Sequence, residues 1–260
     1  MSDLRRIQPD NGYADELRTI VEASRRIVFF GGAGVSTESG IPDFRSGTGL
    51  YSRMTGTSFS PEEILSHDFF VRHTAEFYDY YRSHLVHPDA RPNAAHRGLA
   101  ALERMGTLTA VITQNIDGLH QTAGSRRVLE LHGSVHRNSC QSCRRGYGLD
   151  AIMSTPGIPR CQACGGLLKP DVVLFGELLD ETVLAEAVAA VKAADTLIVG
   201  GTSLVVYPAA GLVDVFQGDH LILINKQTTD VDRLATLAIH QPIGEVMAAF
   251  ADPHTPQEES

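Results

Sequence analysis

The chain has 260 residues, 43% of them hydrophobic and 20% charged, with a net charge of −9. This is ordinary globular composition, with room for one sizeable core or one core plus a small satellite module, and no apolar run approaches the roughly 18 residues of a membrane span. An acidic chain is a poor sequence-independent partner for nucleic acid, because phosphates need Lys and Arg opposite them; the polar residues 1–10 lack the apolar core of a signal peptide, so the expected location is cytoplasmic.

In chain order, residues 15–24 read as a short helix. The apolar run Ile27-Val28-Phe29-Phe30 then breaks at Gly31-Gly32-Ala33-Gly34, a buried strand entering a glycine-rich turn. Residues 46–87 form a long stretch rich in aromatic residues and histidine, with helical patterns at 61–70 and 75–84. A helix at 94–105 precedes a strand at 110–113, and a further strand is expected at 128–131. Residues 134–169 hold all four cysteines, and also five cations against one acid, Asp150. Strands follow at 172–175, 196–199 and 221–224, with helices at 181–194 and 208–216 between them. The tail, 252–260, is polar and expected to be disordered.

Continuous Val/Ile/Leu strands alternating with helices indicate a parallel sheet covered on both faces. The expected fold is α/β: a doubly wound, Rossmann-like sheet, with a smaller zinc-binding lobe formed by two insertions. The large domain would comprise residues 1–46, 88–133 and 170–255, and the small lobe residues 47–87 and 134–169.

Two features carry chemistry on their own terms. Cys140-x-x-Cys143, seventeen residues, then Cys161-x-x-Cys164 has the spacing of a four-cysteine zinc ribbon; a disulfide pair or a redox site is the alternative. A closed four-ligand site would be structural, since it leaves no position for water. The turn Gly32-Ala33-Gly34 suits a nucleotide pyrophosphate at the start of a helix, or is an ordinary turn. The third glycine of the dinucleotide fingerprint would fall at Thr37, and no second strand with a terminal acid follows, which argues against a dehydrogenase.

Residues 32–45 (Gly-Ala-Gly-Val-Ser-Thr-Glu-Ser-Gly-Ile-Pro-Asp-Phe-Arg) resemble the signature loop of the sirtuins, the NAD-dependent protein deacylases. Residues 113–120 (Thr-Gln-Asn-Ile-Asp-Gly-Leu-His), 131–133 (Leu-His-Gly), 169–177 and 201–208 resemble their later motifs in the family's order, with the zinc pairs between the third and fourth. The resemblance implies NAD as a consumed co-substrate, one structural zinc and acylated-lysine proteins or peptides as substrates; a monomer is the default expectation, and the charge and apolar pattern argue for no membrane or specific nucleic-acid partner.

By resemblance His132 would be the general base, with Asn115 assisting at the nicotinamide and ribose pocket beside Gln114, Ile116 and Asp117. Asn115 and Asp117 could instead cap the next helix. Ala33, Gly34 and Thr37 would meet the pyrophosphate, and Asp43, Phe44 and Arg45 would form a loop over the cofactor. Gly201, Thr202, Ser203, Asn225 and Lys226 would hold the adenosine half, with Ile243 near the adenine unless it is core. Gly176, Glu177 and Val206 would pair with the peptide main chain, and Val173 and Phe175 would line the lysine tunnel. Family members that remove succinyl or malonyl groups carry Tyr-x-x-Arg in the small lobe. Here Tyr78 is followed by Tyr81 in the arginine place, with Arg82 one residue late, a turn of about 100° on a helix. Deacetylation is therefore expected over desuccinylation. Mono-ADP-ribosyl transfer on the same site and preference for other acyl groups are the nearest alternatives; a non-enzymatic zinc-ribbon scaffold is the more distant one.

Overall fold

A computed structural model describes residues 12–44, 46, 49–50 and 58–251. Arg45, the polar residues 1–10 and the tail 252–260 lie outside the described residues, as does part of the 46–87 stretch. Helix α1 (Gly12–Ala23) precedes strand β1 (Ile27–Gly31). Helices α2 (Pro61–Ile64), α3 (His67–Arg72), α4 (Thr74–His84) and α5 (Ala94–Arg104) follow, then β2 (Leu108–Thr113), α6 (Leu119–Thr122) and β3 (Val128–Glu130). Next come β4 (Gly133–Cys140), β5 (Gly146–Tyr147), α7 (Asp150–Met153) and β6 (Leu168–Val172). The chain continues through α8 (Glu181–Ala193), β7 (Thr196–Gly200), β8 (His220–Ile224), β9 (Leu237–Ile239) and α9 (Ile243–Met247).

Six strands form one parallel sheet in the order β3-β2-β1-β7-β8-β9. Alternate residues of its strands feed two cores. Val28, Phe30, Ile112, Leu197 and Leu223 face α8 on one side. Ile27, Phe29, Val111, Ile198 and Ile222 face α1, α5 and α9 on the other. Both faces are covered, which is why these strands read as unbroken apolar runs; each fully buried Leu, Ile or Phe contributes about 1.5–3 kcal/mol. The fold class is the expected one. β9 escaped the sequence reading because Leu-Ala-Ile is too short to show a period.

The remaining strands form a separate antiparallel sheet, β5-β4-β6. This corrects the strand expected at 172–175: the extended segment is Leu168–Val172, and it pairs with β4 rather than joining the large sheet. A third core gathers Phe70, Phe77, Tyr78, Tyr81, Ile152 and Leu168, together with Cys140 and Cys161. β4 and β6 run across the boundaries expected at 133/134 and 169/170.

Two helices differ from expectation. The pattern at 61–70 is two helices, because Ser66 leaves helical geometry and its side chain accepts from Phe69 N to cap α3. That break exposes main chain: Phe175 N donates to Leu65 O (3.0 Å) and His67 N to Phe175 O (2.9 Å). The segment at 208–216 is a 3-10 helix, Ala209–Val215; its Gly211, Val213 and Val215 are weak α formers.

Candidate active site

In a doubly wound sheet the ligand crevice lies beyond the carboxyl ends of the strands where their order reverses, here between β1 and β7. The two chain ends meet there through backbone alone. Gly34 N donates to Gly201 O (2.8 Å) and Gly32 N to Gly200 O (3.2 Å). A Cβ on Gly34 would lie 2.7 Å from Gly201 Cα, and one on Gly201, whose φ is +59°, would lie 2.4 Å from Val35 N. These glycines allow two main chains to touch.

The turn does not open a long helix, contrary to expectation. It continues as two 3-10 turns, Ala33–Val35 and Thr37–Ser39. Asn93 at the cap of α5 explains why: its Nδ2 donates to Val35 O (2.8 Å) and Ser39 Oγ (3.0 Å), while Ile41 N turns back to Ser36 O (3.2 Å). Those carbonyls and the loop are held outside an α ladder. Ala33, Gly34 and Thr37 line the turn, with Thr37 Oγ1 donating to Gly34 O (3.0 Å).

Beyond β2, a polar network forms around Ser36, a residue given no role from the sequence. Ser36 is 1% exposed. Its hydroxyl donates to Asp117 Oδ2 (2.7 Å) and accepts from Asn115 Nδ2 (3.0 Å). Asp117 Oδ1 accepts from Leu119 N (2.9 Å), the first residue of α6, whose cap position is Gly118. Burial raises the Asp117 pKa; the Leu119 and Ser36 bonds oppose that shift. The signal for Ser36 was available only as a hydroxyl inside the quoted loop.

His132 stands in the gap between β3 and β4 and is tied to this network through one peptide. Gln114 N donates to Gly31 O (2.9 Å), and Gln114 O accepts from His132 Nδ1 (3.0 Å). A carbonyl can only accept, so Nδ1 carries the hydrogen and Nε2 bears the lone pair in the neutral ring. Nε2 has no partner among the described residues. Burial holds the His132 pKa below the ordinary imidazole value, with the Gln114 bond acting against it, so the ring is neutral at pH 7. Gly133 follows with φ +77°; a Cβ there would lie 1.8 Å from Asp171 O, so only glycine lets β6 close against the segment after His132.

The other expected residues divide. Thr202 N donates to Asn225 Oδ1 (3.0 Å), joining the ends of β7 and β8. Ser203 and Lys226 are exposed beside them. Asp43 Oδ1 accepts from Ser46 N (2.9 Å), while Phe44 and Ile116 pack on the third core. Ile243 is core: it is 3% exposed among Phe29, Val35 and Ile224. Val173 N donates to the His132 carbonyl (3.0 Å). Phe175 is 43% exposed, and Gly176 is exposed beside it. The Glu177 side chain turns back into the protein, onto Lys169 Nζ (2.9 Å) and His67 Nδ1 (2.8 Å). The Val206 carbonyl accepts from Ala210 N (2.9 Å).

The four cysteine sulfurs lie within 4.8 Å of one another. Cys140–Cys164 and Cys143–Cys161 are 3.5 and 3.6 Å apart, and all four are free. A disulfide needs about 2.05 Å. Tetrahedral zinc, with Zn–S near 2.3 Å, sets sulfurs about 3.8 Å apart, so the cluster fits that ion.

The Sir2 family sequence model matches residues 32–208. The chain belongs to the Sir2 family. It is 57% identical over 235 residues to an NAD-dependent protein deacetylase of Cutibacterium acnes, covering 90% of this chain and 96% of that one. It is 53% identical over 239 residues to an NAD-dependent protein deacetylase of Clostridium perfringens, covering 92% and 98%. Among solved structures it is similar to a mutant Sir2 homologue in complex with ADP ribose (39% identity, TM-score 0.85, 91% and 94% covered). It also resembles Sir2Tm bound to a propionylated peptide (39% identity, TM-score 0.79, 90% and 95% covered).

Within this Sir2 chain the small-lobe substitution noted in the sequence has a structural outcome. Arg82 is spent inside the lobe, donating to Ile152 O (3.0 Å), Thr155 O (2.8 Å) and Gly157 O (2.6 Å). Tyr78 bonds the Leu168 carbonyl, and Tyr81 is fully buried against Phe77. The guanidinium is therefore committed to carbonyls of the zinc lobe. Two buried amide donors at the sheet end, Gln114 Nε2 and Asn225 Nδ2, have no hydrogen-bond partner among the described residues. Unpaired donors of that kind are costly unless a polar ligand or water takes them.

Proposed function

We propose that this chain is an NAD-dependent protein-lysine deacetylase in which His132 is the general base and the Ser36–Asn115–Asp117 network orients the nicotinamide and ribose. The observation that carries the reading is the Gln114 carbonyl, which fixes the His132 tautomer and leaves Nε2 free as the acceptor. NAD would supply the reactive sugar carbon: the acyl oxygen bonds it as nicotinamide leaves, and with one water consumed the lysine amine is released and the acyl group ends on ADP-ribose. His132 Nε2 takes the ribose hydroxyl proton in that transfer, a step worth about 10²–10⁴ in rate. Asn225 and Thr202 hold the adenosine half, and the glycine contact between Gly34 and Gly201 lets the backbone approach the pyrophosphate.

The acylated lysine enters between a Rossmann-like domain and a zinc lobe that includes β4, β5 and β6. Its main chain pairs between Gly176–Glu177 and the Val206 segment, with Val173 and Phe175 along the lysine stem. Zinc on Cys140, Cys143, Cys161 and Cys164 is structural, with all four positions taken. A cytoplasmic monomer without specific nucleic-acid partners completes the reading, which the acidic composition supports.

With Arg82 engaged inside the lobe, no cation is presented to an acyl carboxylate on α4. Wild-type protein with NAD and matched peptides is expected to clear acetyl-lysine at least about tenfold faster than succinyl-lysine, the discrimination of roughly one charge-assisted hydrogen bond. The check is mass spectrometry of products. Faster succinyl clearance would overturn the acyl preference, and ADP-ribosylated protein in place of acetyl-ADP-ribose would favour mono-ADP-ribosyl transfer.

A further inference from the structure

Glu177 was expected to meet substrate, yet its carboxylate faces inward and is saturated by protein. Oε2 accepts from Lys169 Nζ (2.9 Å) and Leu174 N (2.9 Å), and Oε1 accepts from His67 Nδ1 (2.8 Å). Lys169 spends its other hydrogens on Pro170 O (3.2 Å) and Val172 O (3.0 Å). A largely buried ammonium with all three donors placed is expensive to assemble, and such pairs add little net stability over apolar residues of the same size; they define conformation instead.

The conformation defined here holds one main-chain residue, Gly176, unpaired between two that are fastened. Phe175 spends its N–H on Leu65 O and its carbonyl on His67 N, both in the small lobe. Glu177 N closes a turn onto Leu174 O (2.9 Å). Gly176, between them, has φ +89° and open space about it, and its own N–H and C=O bond nothing among the described residues. The next segment inward, Val173, is bonded to the His132 carbonyl. Lys169 lies on β6 and His67 opens α3, so the carboxylate fastens the turn to two separate elements.

We propose that Glu177, clamped between Lys169 and His67, is a positioning residue that presets the Phe175–Glu177 main chain as the docking edge for the acyl-lysine peptide, which rests on the reading of that edge as the peptide's partner strand. The clamp does not depend on the charge of His67, because the bond to Oε1 needs only Nδ1–H, which the appropriate neutral tautomer and the cation both carry. Its effect falls on peptide capture rather than on chemistry: the edge has to be in place before the peptide binds, and loosening it charges ordering entropy to binding.

The test is steady-state kinetics of the zinc-loaded enzyme with an acetyl-lysine peptide, and with the same peptide N-methylated at the amides flanking the acetyl-lysine. Glu177→Gln keeps the shape and removes the charge. His67→Leu removes one arm and leaves Lys169–Glu177 intact, so it serves if the first variant folds poorly. In both variants the KM for the unmodified peptide is expected to rise, about tenfold in Glu177→Gln and less in His67→Leu, with kcat and the KM for NAD within about twofold of wild type. N-methylation is expected to raise KM on the wild-type enzyme. If N-methylation weakens the peptide but neither variant changes its KM, the clamp is overturned and the docking edge stands. Should the N-methylated peptide perform like its parent on wild type, the docking edge itself fails and the proposal with it. Equal losses in kcat and in the KM for NAD would mean a general structural defect, which also overturns it.

Discussion

The two sheets of this protein solve opposite problems. The six-stranded sheet is held by regular parallel pairing and two apolar cores, and its carboxyl edge is shaped by glycine backbones that touch. The three-stranded sheet is short, its core is aromatic, and two of its buried core members are cysteines of the metal cluster. The first can fold from its own burial; the second leans on an ion and on main-chain bonds to its neighbour. The comparison teaches where the chain can be damaged locally and where damage spreads.

The largest effect comes from taking away the metal. Structural zinc sites hold about 10–16 kcal/mol of apparent binding free energy, which is folding energy for the segment around them. A strong chelator is expected to abolish turnover and to lose amide protection across β4, β5 and β6, while β1, β2, β7 and β8 stay protected. Hydrogen exchange reads both halves at once. Uniform loss across both sheets would break the comparison, and so would retained protection in β4.

A smaller and more local effect is expected at Ser36. Ser36→Ala leaves Asn115 Nδ2 and Asp117 Oδ2 facing no partner, each costing about 1–3 kcal/mol. Turnover is expected to fall tenfold or more with zinc content unchanged, whereas a loss of zinc would mean the two regions are not separable.

A further effect is on pH. His96 and His120 lie buried edge to face, 4.8 Å apart, behind the Asp117 loop. Burial brings the His120 pKa down to about 4, and burial with the neighbouring His120 and Arg97 takes His96 well below its usual value. The unfolded chain binds these protons near pH 6.5 and the folded chain does not, so stability is full above that value and declines as pH falls toward 4. Denaturant titrations from pH 7.5 to 4.5 are expected to show that slope, and His120→Phe to flatten it. An unchanged slope in the variant would assign it to other groups.

Much of this was legible in the sequence, for identifiable reasons. Strands buried on both faces write themselves as runs such as Ile27–Phe30, and paired cysteines at ribbon spacing announce a metal. The family's motifs named His132 directly. What escaped depended on contacts distant in sequence. Ser66 splits one helical pattern in two, and the main chain so exposed pairs with Phe175, about 110 residues away, which no local signal reports. Glu177 read as a main-chain partner of the peptide, and nothing local reported that its carboxylate meets Lys169 and His67. The turn after β1 was expected to open a helix, and Asn93, nearly sixty residues on, bonds its Val35 carbonyl and Ser39 hydroxyl instead. Ile243 shows the limit of motif transfer: its side chain belongs to the core.

The central claim is that His132 supplies the base from a fixed, neutral tautomer. Product analysis of His132→Ala with NAD and an acetyl-lysine peptide, alongside calorimetry with ADP-ribose, tests it most directly. The account predicts turnover reduced by about 10²–10⁴, ADP-ribose affinity close to wild type and zinc content intact. Undiminished formation of acetyl-ADP-ribose by the variant would contradict it.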